Sequence, residues 1–216
     1  MDENENNIHI FQSKNTSKKN STQLIKMNSA ILAGGKASRM MYQNKAFIQI
    51  QGIPIIRRTI NLLDKIFDGI FLVTNSPKDY KDYEDKCYII TDIIKDVGPL
   101  GGIHSALTYA FHEGIFFVAC DMPFLHNEVI YQLIYCFEKE ECDVVVPRIG
   151  SLIEPLCGIY KKNLKDILQD FIKNNDYTIK NFLNIVNTYY LDLKDNSYNH
   201  KIFENINTKR DLERII

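Results

Sequence analysis

Residues Ser29 to Lys45 read S-A-I-L-A-G-G-K-A-S-R-M-M-Y-Q-N-K, a short apolar run that breaks at Gly34-Gly35 into a loop carrying Lys36, Arg39 and Lys45. The run from Ala30 to Ala33 predicts a buried strand, which the two glycines end. Glycines let backbone N–H groups approach a phosphate closely, and the cations offset its charge. The stretch therefore reads as a polyphosphate cradle at the carboxyl end of a strand. A strand-to-helix turn with solvated lysines is the other reading. Two phosphate fingerprints are excluded. A Walker A loop needs Gly and then Ser or Thr where Ala30 and Ala37 stand, and the Rossmann G-x-G-x-x-G needs a third Gly, yet none follows Gly35 before Gly52.

From this loop toward the C-terminus the chain alternates strand and helix. Pro54 opens a helix whose Ile55, Ile56, Thr59, Leu62, Leu63 and Ile66 recur at helical spacing. Ile70 to Val73 is a second strand ending at Thr74-Asn75-Ser76-Pro77, and Tyr88 to Thr91 a third ending at Asp92. Asp96 to Gly102 reads as a second glycine-rich loop, before an amphipathic helix from Ile103 to His112. Ile115 to Cys120 is an unbroken apolar run, as expected for a parallel strand buried on both faces, and it delivers Asp121. A helix from Asn127 to Glu138, with Asn127 as its cap, leads to a strand at Val144-Val145-Val146. Beyond Pro147 a strand interrupted by Pro155 is expected within Ile153 to Tyr160. Helices at Leu164 to Lys173 and Thr178 to Ile185, a strand at Tyr189 to Leu193 and a last helix capped by Thr208 follow. This alternation predicts an α/β fold of three layers around a mostly parallel central sheet, Rossmann-like in plan.

Composition narrows the function. The 216 residues suit one domain. Residues 1–26, rich in Asn, Lys, Ser and Glu, show no steady period and are expected to be a disordered or loosely docked tail, which leaves 27–216 as the domain. A net charge of -1 with 25% charged residues provides no basic field for nucleic acid and points to a small-molecule partner. The five cysteines are never in C-x-x-C spacing and read as reduced core thiols, and the five histidines form no zinc-type pair. No apolar run approaches the roughly 18 residues of a membrane span, and no signal peptide opens the chain, so no membrane and a cytoplasmic location are expected.

Four strands place Gly34, Asn75, Asp92 and Asp121 at their carboxyl ends, where open parallel sheets bind ligands. Asp121, after a buried strand and two residues before Pro123, suits a magnesium ion, Mg2+, which takes one or two protein carboxylates plus substrate phosphates. A turn-forming Asp is the alternative. The D-x-D pair of sugar-nucleotide glycosyltransferases is missing, since Cys120 and Met122 flank Asp121. No Ser-His-Asp set appears either, as befits phosphoryl chemistry, which asks side chains mainly for positioning and charge.

Several motifs together carry a resemblance: L-A-G-G-K-A-S-R-M at Leu32 to Met40 with Lys45, G-P-L-G-G at Gly98 to Gly102, C-D-M-P at Cys120 to Pro123, E-P-L at Glu154 to Leu156 and N-I-N-T at Asn205 to Thr208. Over residues 28 to 216 the chain resembles molybdenum cofactor guanylyltransferases of the MobA type. The resemblance implies the nucleotidyltransferase version of the fold, with residues 27–147 as a nucleotide-binding half and 148–216 as an acceptor-binding half. It implies transfer of GMP from GTP to the terminal phosphate of molybdopterin, carrying molybdenum or not, with release of pyrophosphate. Leu32, Ala33, Gly34 and Gly35 would contact the nucleotide, Lys45 its phosphates, Asn75 and Asp92 its nucleoside side, and Asp121 both GTP and Mg2+. Arg39, Lys45 and Asp121 would be catalytic, Arg39 by stabilising charge on the departing pyrophosphate. Gly101, Gly102, Asn205 and Asn207 would serve the acceptor. Molybdenum-insertion proteins and target molybdoenzymes or their chaperones are the partners such an enzyme implies. Two departures stand out: Met41 where the family usually has Gly, and Asn44 where an Asp often precedes the lysine. A cytidylyltransferase acting on molybdopterin or another phosphorylated acceptor, and a nucleotide-binding regulator without turnover, remain as alternatives.

Overall fold

A computed structural model describes residues 24–34 and 44–206 of the chain. Strand β1, Ile25–Leu32, is buried on both faces from Met27 to Ile31 because it lies in the middle of the sheet. After a short 3-10 turn at Lys45–Phe47, β2 (Gln49–Ile50) and β3 (Ile53–Pro54) form a small hairpin around Gln51-Gly52. Helix α1 (Ile55–Leu63) leads to β4 (Phe67–Val73), a 3-10 segment at Pro77–Tyr83 and β5 (Tyr88–Ile90). Helix α2 (Pro99–Tyr109) returns the chain to β6 (Gly114–Ala119). Helix α3 (Asn127–Lys139), β7 (Val144–Ile149), β8 (Leu152–Ile153) and β9 (Cys157–Lys161) follow. Helices α4 (Leu164–Lys173) and α5 (Ile179–Ile185), β10 (Thr188–Asp192) and α6 (Ser197–Ile202) complete the described chain.

The sheet runs in the order β10-β7-β9-β6-β1-β4-β5, with β8 paired to β7. Strands β5, β4, β1 and β6 are parallel, and only β9 in that row runs against its neighbours, so the three-layer, mostly parallel α/β architecture expected from the sequence holds. Alternate side chains feed two cores. Ile31, Phe116 and Val118 point to the layer of α1 and α3, while Ala30, Ile115 and Phe117 point to the layer of α2, α4 and α5. From β1 the chain winds outward to β4 and β5, then crosses back to β6 on the other side of β1. The β1–β6 boundary is therefore the switch point, where an open sheet leaves a crevice at its carboxyl edge.

Some boundaries move. Ile25 and Lys26, expected in the tail, belong to β1, since Ile25 pairs with Phe67; residues 1–23 lie outside the described residues. The expected loop at Gly98 to Gly102 is instead the start of α2. Pro99 takes the first helical position, and a side chain on Gly101 would collide with the Ile94 carbonyl, while one on Gly102 would come within 2.9 Å of Leu32. These glycines serve close packing of the helix on the sheet edge rather than a mobile loop. Asn127 is the first residue of α3 and not its cap, which is His126. Helix α6 has too little apolar period to be legible in the sequence, and the helix expected after Thr208 falls outside the described residues.

Candidate functional site

The carboxyl edge gathers two groups of side chains. The first is a hydrogen-bonded wall. Ala33 N–H donates to the Val73 carbonyl and Thr74 N–H to the Ile90 carbonyl, which brings the ends of β1, β4 and β5 level. Asn75 then donates from Nδ2 to Asp92 Oδ2 at 2.8 Å. A Cβ on Gly34 would lie 3.8 Å from that Nδ2 and 3.9 Å from that Oδ2, so Gly34 sits directly beside the pair. Asp92 is buried, and Gly101 and Gly102 at the start of α2 pack against its carboxyl group. Burial pushes its pKa up, while the Asn75 hydrogen bond and the Lys95 charge pull the other way. Leu32, Ala33, Gly34, Asn75 and Asp92 are thus brought together. Gly101 and Gly102 are buried behind Asp92, against Leu32, Val73 and Val97.

The second group is ionic. Asn44 caps the 3-10 turn by accepting from Ala46 N–H at 3.2 Å and donates from Nδ2 to the hydroxyl of the buried Tyr80 at 2.9 Å. Tyr80 in turn packs on the Phe47 ring at 5.0 Å. An amide does both jobs at once, which gives the departure at position 44 a local reason. The clamped turn presents Lys45, whose Nζ lies 3.4 Å from Asp121 Oδ2. Cys120 N–H donates to the Leu32 carbonyl, fixing the end of β6 beside the end of β1 and so placing Asp121 next to that strand end.

Two further residues join this corner. Ile206 N–H donates to the Asp121 carbonyl, tying the N-I-N-T segment to the end of β6, and the neighbouring Asn205 Oδ1 is buried with no partner among the described residues. Glu154 sits in the turn between β8 and β9, its N–H donating to the Pro147 carbonyl. In the β6–β9 ladder Val118 faces Cys157, so the same register carried on would set Glu154 opposite Asp121. Burial first, then the Asp121 charge, push the Glu154 carboxyl up to about 7. In the sequence, Glu154 shows only as a lone Glu inside the apolar stretch I-E-P-L-C, with no pattern that marks a role.

Chemically, the corner offers oxygen donors of the kind a hard divalent cation takes: a carboxylate on Asp121, a second on Glu154 and an orphaned amide oxygen on Asn205. Among the described residues no group of three His, Cys, Asp or Glu side chains is close enough to form a metal cage, so an ion here would draw its other ligands from substrate and water. Burial raises the thiol pKa of all five cysteines, Cys120 to about 12, so none is a ready nucleophile. No described helix is long and apolar enough to cross a membrane. Gly35, Arg39 and Asn207 lie outside the described residues, as do Lys36 and Met41.

Comparison with known proteins identifies the family. Residues 29–189 match the model of the MobA-like NTP transferase domain. The probable molybdenum cofactor guanylyltransferase of Clostridium perfringens strain 13 is 38% identical over 89% of this chain and 98% of its own length. The molybdenum cofactor guanylyltransferase of Syntrophotalea carbinolica is 32% identical over 87% and 89%. Among solved structures, molybdopterin-guanine dinucleotide biosynthesis protein A from Archaeoglobus fulgidus superposes with a TM-score of 0.73 at 27% identity, covering 88% of this chain and 96% of that one. The chain belongs to the MobA-like NTP transferase family.

Proposed function

We propose that the protein transfers GMP from GTP to the terminal phosphate of molybdopterin, forming the guanine dinucleotide of the molybdenum cofactor and pyrophosphate. The names of its relatives support the reaction, and one observation supports the placement: Lys45 Nζ and Asp121 Oδ2 meet at 3.4 Å at the switch point. In this reading residues 27–147 hold the nucleotide and 148–216 the acceptor. The backbone at Leu32, Ala33, Gly34 and Gly35 approaches the triphosphate, and Asn75 with Asp92 receives the nucleoside. Lys45 leaves Asp121 for the phosphates, and Arg39 supports the departing pyrophosphate. Asp121 would hold Mg2+, which would supply positive charge to the triphosphate and Lewis acidity at the phosphorus under attack. Asn205 and Asn207 contact the acceptor, and Gly101 and Gly102 hold the floor beneath Asp92. The side chains position and neutralise; no covalent enzyme intermediate is needed.

The test is pyrophosphate release with molybdopterin, Mg2+ and either GTP or CTP. Release with GTP and formation of the guanine dinucleotide are expected. Turnover with CTP alone would replace this reading by a cytidylyltransferase, and nucleotide binding without turnover by a regulator.

A further inference from the structure

Just past Asp121 the carboxyl edge holds an aromatic ring from the first half of the chain and a cation from the second that the transfer chemistry does not use. Phe124 follows Asp121 by three residues, so their Cα atoms are no more than about 10 Å apart. The Phe124 ring is half-buried, while Met122 and Leu125 on either side of it are in the core together with Ile202 and Phe203. Lys201, at the end of α6, holds its Nζ 5.1 Å from the centre of the Phe124 ring. The hydrogen bond from Ile206 N–H to the Asp121 carbonyl fixes the segment carrying Lys201 to the strand end carrying Asp121. Core residues thus anchor the chain on either side of the half-buried ring, and an exposed ammonium lies over the ring.

We infer that Phe124 and Lys201 form the acceptor subsite: the ring stacks on the acceptor's flat heterocycle, and the ammonium swings aside to pair with the acceptor's negative charge. The inference rests on the transfer reaction proposed above. An acceptor whose phosphate lies at Asp121 carries its pterin one short arm away, a distance that residue 124 can meet. A half-buried phenyl ring is a stacking platform that tolerates exchange of its partner, because an exposed cation–π contact is weak and easily displaced. Lysine suits the second task, since its point charge on a flexible stem can follow a phosphate or thiolate without a fixed fork geometry. Phe124 and Lys201 are positioning residues in this account and touch no reacting atom.

The experiment is steady-state kinetics on the full chain with Phe124→Ala, Phe124→Tyr and Lys201→Gln, varying molybdopterin and GTP separately. Loss of stacking in Phe124→Ala is expected to raise the acceptor KM about 10-fold, with the GTP KM and kcat within about 2-fold of wild type. Phe124→Tyr should return the acceptor KM to the wild-type value, and Lys201→Gln should raise it about 3-fold with an unchanged melting temperature. Because Lys201 is exposed, that variant tests the subsite even if Phe124→Ala folds poorly. An acceptor KM that stays at the wild-type value in both Phe124→Ala and Lys201→Gln, or one that shifts together with the GTP KM, overturns the inference. If the enzyme proves to use CTP, the reading of the nucleotide falls while an acceptor-specific shift in KM still upholds the subsite.

Discussion

The two groups at the carboxyl edge differ in how far they are satisfied. The nucleoside wall is self-contained: Asn75 donates to Asp92, and the start of α2 closes beneath that carboxyl group. The transfer corner is not. Lys45 makes a long contact to a partly exposed Asp121, Glu154 faces the same charge, and Asn205 Oδ1 lacks a partner among the described residues. A preformed wall recognises a ligand with little rearrangement, whereas a half-buried corner with an orphaned amide oxygen and a carboxyl held high by burial gains most when a cation and phosphates arrive. Under the proposed function, binding falls to the first group and chemistry to the second.

Substitutions can break that division. Asp121→Ala should lower kcat/KM for GMP transfer by about 10³-fold while the protein stays folded, measured by pyrophosphate release and a melting curve. Lys45→Ala should lower it by about 10²-fold and weaken GTP binding. Asp92→Ala should act on the other side of the division: about 10-fold weaker GTP binding by calorimetry, with a much smaller change in kcat. Equal losses of kcat in Asp92→Ala and Asp121→Ala would erase the distinction.

Much of this was legible in the sequence, for physical reasons that can be named. Ile115 to Cys120 could only be a strand buried on both faces, so Asp121 at its end was visible at once. Asn75 followed from the turn formers after its strand, and Asp92 from its place at the end of a short apolar strand. Helix α2 was misread at its start because Gly101 and Gly102 look like a loop when the Ile94 carbonyl that excludes a side chain cannot be seen. Glu154 was missed as a member of the site because β9 runs antiparallel, so its proximity to Asp121 depends on a ladder register that no local pattern encodes. The role of Asn44 depends on Tyr80, 36 residues away.

Two smaller effects sharpen the comparison. Gly101→Ala should cost about 1–3 kcal/mol in urea unfolding, because the new methyl group meets backbone rather than a flexible side chain. Glu154→Gln reports on the charge balance of the corner. The Glu154 carboxyl sits near 7 in the fold against an ordinary 4.5, so its protonated form stabilises the fold. That contribution is complete below pH 4.5, declines as pH rises toward 7 and is gone above it. With a chelator present, Glu154→Gln should therefore melt about 2–4 °C above wild type at pH 8, and close to it at pH 5.

The most direct test of the central claim is Mn2+ binding followed by electron paramagnetic resonance, with and without GTP, in the wild type, Asp121→Ala and Asp92→Ala proteins. The division of the edge predicts that GTP strengthens Mn2+ binding in the wild type and, at saturating GTP, in Asp92→Ala, and that Asp121→Ala abolishes this effect. Undiminished GTP-dependent Mn2+ binding in Asp121→Ala would contradict it.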